Sequence, residues 1–143
     1  MKPIINYMSA AALVLLVLSS VANAEIAVIA NPENSQNSLT IKQVKKIFLG
    51  KKSTFPNGEA VEPVDQIETS ASRKFFYENV IKKDPATLKS YWTKMVFSGK
   101  AAPPETMKDD NAIKTWIASS KEGIGYINKN AVDNSVKVLF THQ

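Results

Sequence analysis

The chain has 143 residues, with 18 Lys and Arg against 13 Asp and Glu, one His, no Cys and 44% apolar residues. That length supports one domain with a real core, and the balance of apolar and charged residues argues against wholesale disorder. Without Cys there is no disulfide, thiolate metal site, Cys nucleophile or lipid-modified Cys anchor, and one His rules out an imidazole cage. Hydroxyls, carboxylates, amines, one guanidinium and the backbone remain.

Residues 1–24 read as an export leader. Lys2 gives a positive start, Ala10 to Leu18 is unbroken apolar sequence, and Ala22-Asn23-Ala24 is an A-x-A cleavage pattern before Glu25. Nine residues at helical rise fall far short of the roughly 30 Å hydrocarbon core, so no stable membrane anchor is expected. The domain proper is then 25–143, still net basic, and the expected location is periplasmic. For an exported basic chain, small anions or acidic envelope partners are the expected contacts, and nucleic acid is not.

From Glu25 the first element is a short buried strand through Ala30, stopped by Asn31-Pro32 and followed by a polar loop to Ser38. Thr40 and Gln43 form a Thr-x-x-Gln capping box, with Leu39 and Val44 as a staple. The helix they open carries Val44, Ile47 and Phe48 on one face and ends at Gly50. The basic band of Lys42, Lys45, Lys46, Lys51 and Lys52 reads as a solvated face, with steering of anions or contact with acidic partners as the alternative. Pro56-Asn57-Gly58 is a turn, and Ala60 to Val64 a short strand in which Pro63 indicates an edge position or an early exit. A helix through Phe75, Phe76 and Val80 begins within Thr69–Ser72, and Asp84-Pro85 starts another carrying Leu88, Trp92, Met95 and Val96. Ala101 to Pro104 is a rigid connector. Asp109-Asp110 opens a helix with Ile113, Trp116 and Ile117 inward. Gly123 to Ile127 and Val136 to Phe140 read as the last strands. The sum is a small α/β layer of about four strands covered by helices, with no internal repeat.

Catalytic patterns are missing: no H-E-x-x-H, G-x-S-x-G, Ser-x-x-Lys or phosphate-loop signature occurs. His142, one residue from the end, reads as a solvated tail rather than a positioned base. Asp109 and Asp110 are explained by capping, so neither a metal nor a cofactor is expected.

The informative stretch is Gln66 to Lys74, which leaves a strand and opens a helix. First-turn amides lack helical partners and sit at the positive end of the dipole. Ser70 and Ser72 add hydroxyls and Arg73 a planar fork, a combination suited to an oxyanion. Taken alone, ordinary capping plus a surface arginine is the stronger reading of the same residues. Glu68 would repel a fully ionised anion but accept a proton from phosphate, so a site here would prefer phosphate to sulfate. Thr40, with Ser38 before it, presents a second helix start that would line the same cleft if both helices leave one edge of the sheet. Trp92, Trp116 and Tyr126 read as core.

Several motifs together resemble the phosphate-binding proteins of bacterial ABC transporters. Leu39-Thr40 followed by Ile47-Phe48-Leu49-Gly50-Lys51 is similar to that family's Leu-Thr…Ile-Phe-x-Gly-Lys helix. Ser70-Ala71-Ser72-Arg73 with Phe76 resembles its Ser-Gly-Thr-Arg…Phe turn. Trp92, Phe97-Ser98-Gly99 and Gly123-Ile-Gly-Tyr126 match later landmarks in order.

The resemblance implies an α/β fold, a single lobe of the type II periplasmic binding protein with a mixed sheet flanked by helices. It also implies a non-enzymatic role. Phosphate or a similar oxyanion would be held by Ser70, Ala71, Ser72 and Arg73, with Glu68 as proton acceptor. Ala71 replaces the family's glycine, Thr69 stands where another glycine is common, and Gln66 stands where some members have a second arginine. One lobe leaves the cleft half open, so weak binding is expected unless an envelope protein or second subunit completes it. The rival readings are a ligand-free interaction module of the envelope and an exported phosphohydrolase. The latter lacks a visible nucleophile with base or metal.

Overall fold

The computed structural model describes Pro3 and residues 25–142, so the apolar run and cleavage pattern of the expected leader lie outside the described residues. The first strand, β1 (Ile26–Ala30), is buried along its whole length. Successive side chains of a strand point to opposite faces, so an unbroken apolar strand must be covered on both. Ile26, Val28 and Ala30 enter one apolar cluster, and Ala27 and Ile29 the other.

The helices divide between those two clusters. On one face lie α1 (Ile41–Phe48), α2 (Ala71–Phe76) with the π-helical turn Tyr77–Ile81 that continues it, and α3 (Pro85–Phe97), contributing Phe48, Phe76, Val80 and Trp92. On the other face α4 (Asp110–Ser119) contributes Ile113 and Ile117. The result is a three-layer helix–sheet–helix sandwich.

The sheet holds five strands in the order β3-β2-β4-β1-β5, with β2 (Glu62–Gln66), β3 (Glu105–Met107), β4 (Gly123–Asn128) and β5 (Lys137–His142). It is mixed: β2 runs parallel to β3 and β4, while β1 runs antiparallel to β4 and β5. This is one strand more than the sequence pattern indicates. Glu-Thr-Met has no periodicity to mark it, and β3 forms because the extended connector before it meets the open edge of β2, pairing Glu105 with Val64. Pro63 is therefore not on an edge strand. Its missing N–H is tolerated because pairing with β3 begins only at Val64, one residue later. The strand itself starts at Glu62, since Ala60 is taken up in an isolated bridge to Thr54.

Caps form as the sequence indicates. Thr40 and Gln43 exchange both bonds of a capping box, Asp84 caps α3 ahead of Pro85, and Asp109 caps α4. His142 is a correction: it is the last residue of β5, paired with Ile26, with its ring edge-on to Phe75 at 5.9 Å. Pairing with the buried first strand holds the chain end that sequence position alone would leave frayed.

Candidate functional site

At the end of β2 two buried polar residues, Asp65 and Gln66, follow the apolar Val64. A carboxylate taken out of water must be paired and bonded to be tolerated. Asp65 is both. Its Oδ1 accepts from the Gln66 N–H at 2.8 Å and from the Tyr126 hydroxyl, and its Oδ2 accepts from the Tyr77 hydroxyl at 2.6 Å. Arg73 Nη1 stands 2.7 Å from the same Oδ2.

Both tyrosine hydroxyls are held far above their ordinary range, first by burial and then by the Asp65 charge and the bonds they give it. They are neutral donors at any physiological pH. Tyr126 is in turn fixed by its ring, which stacks on Phe76 at 3.9 Å between centroids.

Gln66 ties four elements together. Its Nε2 donates to Asp110 Oδ1 at 2.7 Å and to the Tyr126 carbonyl at 2.9 Å, while its Oε1 accepts from the Ser70 hydroxyl at 2.5 Å. Asp110 also accepts from the Asn128 N–H at 3.2 Å, so it is a cross-link between α4 and β4 as well as a first-turn acid.

This network decides what the Ser70 turn has to offer. Ser70 is the N-cap of α2: its hydroxyl accepts from the Arg73 N–H at 3.2 Å and spends its proton on Gln66. The Ser70 N–H is bonded to the Ile67 carbonyl. Among the described residues the amides of Ala71 and Ser72 and the Ser72 hydroxyl have no hydrogen-bond partner, which leaves three donors of the first turn uncommitted.

Arg73 uses Nη1 twice, on Asp65 and on the Gln66 carbonyl at 2.9 Å, and lays its guanidinium 4.8 Å from the centre of the Tyr77 ring. Its Nε–Nη2 edge carries no bond to the described residues. The fork is therefore held rigidly, with its charge largely balanced by Asp65 and one edge uncommitted. Glu68 and Thr69 are exposed in the turn just before Ser70.

Thr40 and Ser38 make bonds of their own. The Thr40 hydroxyl is occupied by the Gln43 N–H, and the Ser38 carbonyl accepts from Gln36 Nε2. No hydrogen bond joins either to the Ser70 cluster among the described residues. Because β1 runs opposite to β2, the chain leaves these two strands at opposite ends of the sheet. The shared-edge rule that would bring both helix starts together applies to parallel neighbours and not to this pair. Asp65, Tyr77 and Tyr126 carry the network, and no sequence pattern marks them as polar partners. The available signal was a lone carboxylate at an inward strand position, which demands a cation nearby.

No family model and no curated protein matches the chain. Solved structures do. A Clostridium perfringens protein assigned as a phosphate ABC transporter substrate-binding protein, with bound phosphate, aligns at TM-score 0.65 and 23% identity over 81% of this chain and 45% of its own. An ABC-type phosphate transport receptor from Vibrio cholerae aligns at TM-score 0.65 and 19% identity, over 81% and 46%. PstS from Borrelia burgdorferi aligns at TM-score 0.57 and 17%, over 81% and 47%. The chain thus has the fold of part of these phosphate-binding proteins and spans under half their length. The single-lobe α/β resemblance drawn from Leu39-Thr40, the Ser70 turn and Gly123 to Tyr126 is upheld at the level of fold.

Proposed function

We propose that this chain is an exported binding lobe, its leader removed near Ala24, that holds phosphate or a similar oxyanion weakly at the start of α2. The observation that carries the reading is the set of uncommitted donors at Ala71 and Ser72 next to Arg73, one edge of which is also uncommitted, on the fold that phosphate receptors use. The role is binding, not catalysis. Glu68 is placed in sequence to accept the proton of a phosphate ester or ion, which favours phosphate over sulfate. Ser70 contributes indirectly, by capping the helix that presents the amides. Thr40 and Ser38 enter only if a partner closes over the lobe.

Arg73→Ala is a poor test, because it also strands the buried Asp65. Ser72→Glu is better: an acid in the first helical turn favours the helix while repelling an anion. Titration calorimetry with inorganic phosphate should show weak, salt-sensitive binding to the native chain and none to Ser72→Glu, with the melting temperature of the variant unchanged or raised. Native chain that shows no heat and no thermal stabilisation with phosphate would remove the reading.

One observation favours a second reading, a ligand-free interaction module of the envelope. Asp65 already balances Arg73, as an internal anion would. Absence of any phosphate effect together with recovery of a stoichiometric envelope partner would support it.

A further inference from the structure

The outer side of α3 presents an aromatic where a solvated helix face should be polar. The helix buries Leu88 and Trp92, with Tyr91 and Met95 half-buried beside them. On the opposite side Lys89, Thr93 and Phe97 recur at four-residue spacing, a single stripe along the helix. Phe97 is 94% exposed and its neighbour Val96 54%. With Lys89, Thr93 and Lys94, Phe97 lines a shallow groove of about 440 Å³.

The end of the helix is fixed rather than frayed. Gly99 takes φ +69°, the Gly99 N–H bonds the Val96 carbonyl at 3.1 Å, and the Lys100 N–H bonds the Met95 carbonyl at 3.0 Å. Phe97 is thus held outward on a rigid support, where no part of the described chain covers it.

Between Asp84 and Glu105 the chain carries charge of one sign. From residue 85 to 104 there are three lysines, Lys89, Lys94 and Lys100, and no Asp or Glu. None of the three forms an ion pair among the described residues. An uncovered aromatic that shares its groove with the long cationic side chains of Lys89 and Lys94 suits a headgroup layer: the ring reaches the acyl boundary while the lysines extend to the phosphates. A folded acidic partner would have to supply a fixed cavity for the protruding ring, whereas a fluid anionic surface deforms around it.

We propose that the Phe97 face of α3 docks this chain peripherally on an anionic lipid surface. The inference is independent of the oxyanion reading, since it uses neither the Ser70 turn nor Arg73.

The test is co-sedimentation of the chain from Glu25 onward, which carries all five strands and both apolar clusters. The vesicles contain phosphatidylglycerol and phosphatidylcholine in equal parts, against phosphatidylcholine alone. Binding is expected on the anionic vesicles only, falling about tenfold or more with Phe97→Ser, with Lys89→Glu plus Lys94→Glu, and at high salt. Phe97→Ser should melt at the native temperature, since the ring packs on nothing. Lys51→Glu plus Lys52→Glu, at the end of α1, should change binding less than about twofold. The proposal is overturned by any of four results: no anionic binding, insensitivity to Phe97→Ser, equal loss from the Lys51 and Lys52 reversals, or Phe97-dependent self-association without lipid.

Discussion

Arg73 shows how one side chain can be both asset and counterweight. In water a guanidinium draws anions freely, but here it neutralises a carboxylate that has almost no solvent contact. Removing one member of such a pair leaves the other as an unpaired buried charge, an effect of roughly 3–5 kcal/mol. Asp65→Ala should therefore lower unfolding free energy by about that much, read from denaturant midpoints at pH 7. It also orphans the Tyr77 and Tyr126 hydroxyls, which places the loss toward the upper end.

Those hydroxyls make a pH prediction. Their folded-state values lie well above the ordinary tyrosine value of 10.0, chiefly through burial. A group raised in the folded state contributes fully below its unfolded value and loses that contribution as pH climbs above it. Stability should hold to about pH 10 and then fall as the unfolded chain ionises while the folded chain does not. Denaturation midpoints at pH 8 and pH 11 would record it. Tyr77→Phe with Tyr126→Phe should flatten the decline, and an undiminished slope in that pair would disprove the assignment.

At the level of elements, close approach and helix ends set the tolerances. Gly123 and Gly125 of β4 face α4, and a methyl group on Gly125 would meet Ile113 Cγ2 at 2.7 Å and Ile117 Cδ1 at 3.0 Å. Gly125→Ala should cost about 1–3 kcal/mol, the usual range for overpacking, measured by thermal unfolding. The π-helical turn after α2 has the opposite property. It closes on Lys82 at φ 60°, a left-handed conformation that a side chain disfavours. Lys82→Gly should relieve that strain against its own entropy cost and raise stability by about 0.5–1 kcal/mol. A lowered melting temperature would mean that the Lys82 side chain holds the turn.

The helix boundaries around these positions follow from short-range chemistry. Thr40 with Gln43, Asp84 with Pro85, and Asp109 each mark an N-terminus through bonds made within three residues. Element β3 does not follow in that way. Its pairing partner lies some forty positions earlier in the chain, and Glu-Thr-Met has no intrinsic reason to be a strand.

On the scale of the whole molecule, an open lobe leaves a bound anion half hydrated. Water screens the Arg73 fork and the first-turn dipole together, so the proposed phosphate site should bind in the micromolar to millimolar range and weaken steeply with salt. Nanomolar binding by a monomer, measured by calorimetry, would require a closed site that one lobe does not build. Among the described residues no helix is long and apolar enough to cross a membrane.

Local order set much of this protein in advance. The unbroken apolar run of β1, the caps at Thr40, Asp84 and Asp109 and the motif run from Leu39 to Tyr126 carried the α/β lobe and its likeness to phosphate receptors, because each depends on neighbours a few positions apart. The fate of Ser70 and Arg73 was settled only on folding. Their partners Asp65, Gln66 and Tyr77, with Tyr126 holding the first two, come from three elements, and which donors remain for a ligand depends on which ones the chain has already used. The same holds for Phe97, which stays outside because the inner face of α3 is filled by Leu88 and Trp92.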